Sequence, residues 1–250
     1  MKKILSTIAM SAILSASLCA DMTRVEIGAG AWAQKPSGTA DYNAGAGVTG
    51  TNTFDKNKDT SAYVWMLVKH PIPVVPNIRL EYTGIHATGT AAGSWNGVAI
   101  PGTSKSVLDL KEYDVIPYYN ILDNTFWTTL DLGLDVKFVN SDYRVEPKGL
   151  FTGYEDTRTI PVPLVYARVR VEIPSTDIGL ESDAKYITNG SSTVYDVRAK
   201  VDYTFDLSTV VHPAVEIGYR AQKIKIDESN IDVKTDIDFS GFYAGLMLRF

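Results

Sequence analysis

Cysteine is nearly missing from this 250-residue chain; its one copy is Cys19. Disulfides therefore cannot staple whatever folds after it. Histidine is scarce as well, with only His70, His86 and His212 to serve a proton relay or a metal site. After residue 20 no run approaches the roughly 18 uncharged apolar residues that a membrane-spanning helix needs. Helical periodicity is almost absent. Basic residues are outnumbered 24 to 29, giving a net charge of −5. That balance argues against nucleic acid as a partner. Nucleotide loops are missing too. Gly28-Ala29-Gly30 lacks a third glycine and a following helix, and reads as small residues on a strand.

The chain opens "MKKILSTIAMSAILSASLCA", with Lys2 and Lys3 ahead of an uncharged apolar stretch and small residues. This reads as a secretory signal peptide, residues 1–20, cut after Ala20. Leu18 directly before Cys19 fits a lipidation site poorly. Residues 21–250 then form one domain, without cysteine, that is either soluble after export or spans a membrane as a barrel.

Period-two alternation fills that domain. Ten candidate strands lie near 22–34, 60–69, 77–88, 105–118, 126–139, 158–173, 177–188, 193–206, 213–226 and 235–250. The first three odd-numbered connections, 35–59, 89–104 and 140–157, are long, polar and Gly-rich. Even-numbered ones such as "NILDN" and "PSTD" are short. Sorting by parity is the habit of an outer-membrane barrel, with long loops outside and tight periplasmic turns. Alternation alone fits a sandwich equally well, with the charged face in water. The signal peptide, the loop parity, the even strand count and the terminal Phe250 together favour an all-β, ten-stranded antiparallel transmembrane barrel of up-and-down topology. Aromatics near strand ends, among them Tyr118, Tyr119, Phe126, Tyr203 and Phe205, fit an interfacial girdle.

In that barrel the oily faces meet lipid and the ionisable faces turn inward. The inward cations are Arg24, Arg79, Lys137, Arg168, Arg170, Lys185, Arg198, Lys200, Arg220 and Arg249. The inward acids are Glu26, Glu81, Asp131, Asp135, Glu172, Glu181, Asp183, Asp196, Asp202 and Glu216. Unpaired, each would cost several kcal/mol to desolvate, so equal numbers of the two signs predict a mutually satisfied network. About eight strands leave room for side chains alone, and ten leave little more. The lumen is therefore expected to be largely filled, with water in the gaps.

Two strands resist this reading. Segment 105–118 loses phase near Lys111–Glu112, where a β-bulge would restore it. Segment 60–69 is apolar on both faces, so its inward side is unassigned. Pro161 and Pro163 cannot donate to a ladder, so 157–163 is expected to project above the paired wall.

The segments "GAGAWAQKPSGTADY", "KHPIPVVPNIRLEYTG", "YYNILDNTFWTTLDLGLDVKFV", "YDVRAKVDYTF", "EIGYRAQKIKID" and "DIDFSGFYAGLMLRF" resemble a family of proteobacterial outer-membrane β-barrel proteins of similar length. The resemblance spans roughly residues 22–250. It implies a barrel in the outer membrane of a Gram-negative bacterium, and it carries over no catalytic residue, because that family has no established activity. The end of the chain at Phe250 also looks like the C-terminal signal that the outer-membrane assembly machinery reads. The implied partners are that machinery, outer-membrane lipid and lipopolysaccharide, with the protein a monomer.

Three functions remain open on the sequence. The first is a structural or surface-interaction barrel acting through its outer loops, with Tyr42, Trp95, Phe151 and Tyr154 as contact aromatics. The second is a narrow channel or small-solute carrier. The third is a barrel hydrolase in which His86 pairs with Asp142 or Asp156; no catalytic motif accompanies it, and a solvated rim histidine is the simpler expectation. The acidic loop 227–238 lacks the spacing and glycine of an EF-hand and is expected to be solvated rather than metal-binding. No cofactor is implied.

Overall fold

The computed structural model describes residues 23–43, 49–55, 58–72, 74–95, 97–149, 152–227 and 233–250. The signal-peptide assignment and Phe151 lie outside them. Among the described residues every regular element is a strand: β1 (Arg24–Asn43), β2 (Thr49–Asp55), β3 (Asp59–Lys69), β4 (Asn77–Trp95), β5 (Val98–Thr125), β6 (Thr128–Val145), β7 (Tyr154–Glu172), β8 (Ile178–Thr188), β9 (Thr193–Thr204), β10 (His212–Ile226) and β11 (Val233–Arg249). Each pairs antiparallel with its neighbours, and β1 pairs with β11 from Glu26↔Arg249 to Tyr42↔Val233, which closes the sheet. β2 and β3 both lie between β1 and β4, so they are two segments of one stave. The fold is a closed ten-stave antiparallel barrel. Phe250 fastens the seam: its N–H donates to the Val25 carbonyl at 2.9 Å.

The strands outrun their sequence-read ends away from the termini. Much of the three long connections is ladder: β1 continues to Asn43, β4 to Trp95 and β6 to Val145. Only residues 96–97 separate β4 from β5. At the terminal end β5 runs through the expected "NILDN" turn, and the chain reverses at Phe126–Trp127 instead. Both residues have left-handed φ, 51° and 62°. Asn-Gly usually fills such a two-residue turn; here two exposed aromatics stand at the barrel's edge.

The wall is uneven in height. β8 and β9 stop at a hairpin around Asn189–Ser192, whereas β7 climbs on to Tyr154. Above Val165, β7 pairs with β6 alone. Pro161 and Pro163 fall on this one-sided stretch, so the segment does rise above β8, but it stays paired to β6.

The outer surface carries an apolar belt, with Leu132, Leu134, Val165, Ile217 and Leu246 exposed on it. On β6 the belt runs from Thr128 to Phe138, about ten residues at roughly 3.3 Å each. Inclined at about 40°, that is roughly 25 Å, the height of the apolar band on transmembrane barrels.

Candidate functional site

Inside the terminal half of the barrel, ion pairs bridge wall to wall. Arg168 on β7 donates to Asp131 of β6 at 2.6 Å and to Glu181 of β8 at 2.7 Å. Arg170 grips Asp202 of β9 through both terminal nitrogens, at 2.6 and 3.1 Å. Across the lumen, Lys185 of β8 reaches Glu81 of β4 at 2.6 Å, and Arg198 of β9 joins Glu81 to Asp183. Arg79 holds the same Glu81 from its own strand. Lys137 lies 2.9 Å from Asp114 and 3.4 Å from Asp196, which Arg220 also engages at 2.7 Å. Lys200 donates to Glu216 at 2.8 Å. Nearest the termini, Arg249 spans Glu26 and Asp202 at 3.0 and 2.8 Å. Arg24 and Glu172 sit at the rim, half exposed and 3.6 Å apart.

Sequence reasoning missed several members. Glu112 and Asp114, set aside with the apparent loss of phase, are fully buried against Lys137. The unassigned β3 turns Tyr63 and Trp65 inward, and both donate to Glu216, at 2.7 and 3.3 Å. Gly28 and Gly30 make this possible. A Cβ on Gly28 would stand 2.4 Å from the Trp65 indole, and one on Gly30 2.5 Å from the Tyr63 hydroxyl. Arg79 and Lys200 lie over the Trp65 ring at 4.9 and 4.7 Å, and Arg220 over Trp32 at 4.6 Å. Asp135 differs: its side chain is buried, yet neither carboxylate oxygen has a hydrogen-bond partner. A void of about 10 Å³ among Tyr63, Trp65, Arg79, Glu181 and Lys200 has room for about one water.

The far half reverses this chemistry without any change of register. On β5 the buried side chains run Asp114, Glu112, Leu110, Leu108, always at even numbers. The β4–β5 and β5–β6 ladders are continuous through Lys111–Glu112, so the expected bulge is not there. The face stays the same and its chemistry switches. Outward, Val115 and Tyr113 give way to Lys111 and Asp109. β6 changes likewise, from inward Asp135 and Lys137 to Val139 and Tyr143, and from outward Phe138 to Asp142 and Arg144. β10 follows, with Arg220 succeeded inside by Ile224 and Ile226 while Lys223 and Lys225 face out. In the terminal half the barrel is oily outside and ionic inside. Beyond this plane it is ionic outside and oily inside, as a water-soluble barrel is.

The oily half is not filled. It encloses a cavity of about 540 Å³, well inside the roughly 300–1,000 Å³ of small-molecule sites. One wall is aromatic. Tyr42 stacks on Trp95 with centroids 5.9 Å apart, Trp95 meets Tyr143 at 5.2 Å, and Tyr143 meets Tyr154 at 6.3 Å. Branched aliphatic side chains line the cavity from β7, β9 and β10, with Ile160, Val162, Val194, Ile224 and Ile226. The charged lining residues are Asp156 and Arg158, paired at 2.8 Å. Three aromatics expected to act from outer loops, Tyr42, Trp95 and Tyr154, thus belong to the cavity wall instead.

His86 stands elsewhere. It points out of the barrel, with its Nδ1 2.5 Å from Asp109 Oδ1. Arg144 pairs with the same Asp109 and lies 3.3 Å from Asp142. The acid beside His86 is therefore Asp109, not Asp142 or Asp156, and the dyad does not face the cavity. In the acidic loop, Lys223 reaches Asp236 and Asp238 at 2.5 and 3.0 Å. Lys234, 2.6 Å from Asp227, holds that carboxyl below its ordinary range by a hydrogen bond and by charge. These acids are neutralised by lysine. Among the described residues no group of three or more His, Cys, Asp or Glu is arranged to hold a metal ion.

No family model matches the chain, and no curated protein does. Solved structures do. The chain is similar to the outer membrane protease OmpT from Escherichia coli, at 11% identity and a TM-score of 0.52, over 91% of this chain and 96% of that one. It also aligns with the translocator domain of the autotransporter NalP from Neisseria meningitidis, at 13% identity and a TM-score of 0.45 over 98% of both. At such identities the likeness is one of fold: this is an outer-membrane-type β-barrel.

Proposed function

We propose that this is an integral outer-membrane barrel of a Gram-negative bacterium that binds a ligand at the cell surface and does not conduct. The apolar belt lies in the bilayer, the termini face the periplasm, and the oily half stands above the outer leaflet as a cup. The observation that carries this reading is the cup's position on a floor of ion pairs. A cavity of ligand size opens at the far end, and the lumen beneath it is bridged by Lys185 and Arg198 to Glu81 and by Arg220 to Thr83. A hydrated ion would have to displace charges that satisfy one another in a low-dielectric interior, at a cost of several kcal/mol per group. This sets binding ahead of passage, and it moves the surface role from the loops to the inner wall of the protruding barrel.

Planar-bilayer recording of the refolded chain tests it. No conductance above the lipid background is expected. Steady openings that change with Arg168→Ala would overturn it in favour of a narrow channel.

A further inference from the structure

We infer that the cup takes a hydrocarbon chain of an outer-leaflet lipid, which enters sideways over the low β8–β9 rim. This rests on the membrane placement proposed above. Aliphatic lining stands beside that rim: Ile160 and Val162 lie on the part of β7 that overtops β8, and Val194 lies at the rim end of β9. Tyr186 and Tyr195, register partners on the outer face, sit only two residues below the ends of their strands. Tyrosines in such a position mark the headgroup level of a bilayer. The rim therefore clears the leaflet by a few residues of strand, and a lipid chain need rise only about 10 Å to cross it. On one flank β7, paired to β6, stands much taller; on the other β10 ends at Ile226, one residue beyond the partner of Thr193. Inside, the chain would lie on branched aliphatic side chains that now have no partner atoms on the cavity side. Each methylene so covered is worth about 0.8 kcal/mol, which offsets withdrawal from an equally apolar bilayer only if the cavity is otherwise hydrated. The 2.8 Å pair Asp156–Arg158 offers both signs of charge to a zwitterionic headgroup at the mouth.

Trp95, on the cavity wall, is the reporter. The full chain carrying Trp127→Phe, which removes the exposed indole at the opposite girdle, is refolded into vesicles containing phosphatidylethanolamine brominated near the chain ends. Bromine quenches an indole it touches. Trp32 and Trp65 are shielded in the ionic half. We expect quenching at least twofold above that in a variant with Val162→Phe and Ile224→Phe added to fill the cavity. We also expect it to vanish with Trp95→Phe. Heat-modifiable migration confirms that each variant folds. Equal quenching in the open and filled forms would overturn the inference. So would quenching by brominated palmitate added from water but not by the brominated lipid, since the cup would then load from above. In both cases a silent planar bilayer leaves the non-conducting reading standing, so the two failures are separable.

Discussion

The two halves of the barrel are made from the same strands in the same register, yet they solve opposite solvation problems. In the terminal half the outside is apolar, the face proposed to meet lipid, and the inside holds the charges and satisfies them. In the far half the outside is charged, as a face in water is, and the inside is oily. The difference teaches that a strand's face is defined by its parity and not by its chemistry. Along β5 the even-numbered residues face inward from Ser104 to Tyr118, and the medium outside decides what stands there.

Breaking the ionic half has the largest expected effect. Glu81 touches Arg79, Lys185 and Arg198. Glu81→Leu leaves those cations without a shared acid, and a loss of about 3–5 kcal/mol is expected. It would be read as a lower urea midpoint for loss of the heat-modifiable band. A midpoint within error of the parent would mean that water, not protein, solvates this lumen.

The boundary between the halves can be placed with outward substitutions. Leu134, 63% exposed within the belt, should cost about 2–4 kcal/mol as Leu134→Arg in a bilayer. Asn140→Arg, six residues further along the same strand and beyond the plane of inversion, should cost at most about 1 kcal/mol. Equal penalties in vesicle refolding would erase the boundary.

The smallest effect belongs to Asp135. Its buried carboxyl has no hydrogen-bond partner, so Asp135→Asn removes a desolvated charge that no hydrogen bond satisfies. Stability at neutral pH should stay unchanged or rise, in contrast to Asp131→Asn, which removes the charge and one of the two oxygens that accept from Arg168 and Asn120. A large loss on Asp135→Asn would reveal a partner, such as an ordered water, that the carboxylate needs.

The architecture was legible because strict alternation of apolar and ionisable residues runs through half of every stave. Arg168, Arg170, Asp196, Arg198 and Lys200 stand inward where their parity put them. The cup was not legible, for a physical reason. Leu108 and Leu110 look like lipid-facing residues that have slipped by one, and a pattern reader supplies a bulge. The signal was present as a concerted switch, in which inward charges give way to Leu110, Val139 and Ile224 just as charge appears outside at Lys111, Asp142 and Lys223. Read over several strands together, it marks a plane and not a defect. β3 was opaque because its inward face uses Tyr63 and Trp65, whose rings are mostly apolar while their polar tips join the network at Glu216. The far extensions of β1 and β4 were hidden by glycine, threonine and alanine, residues that advertise loops until a partner strand is supplied.

Among the described residues the stretch of β7 above Val165 has a bare side, and a bare side on a strand invites another chain to add itself there. Pro161 and Pro163 interrupt it where β8 no longer gives cover. The wall can thus be cut low on one flank without turning the protein into a seed for stacking with its neighbours. The molecule has a front, and two imino acids keep that front from sticking.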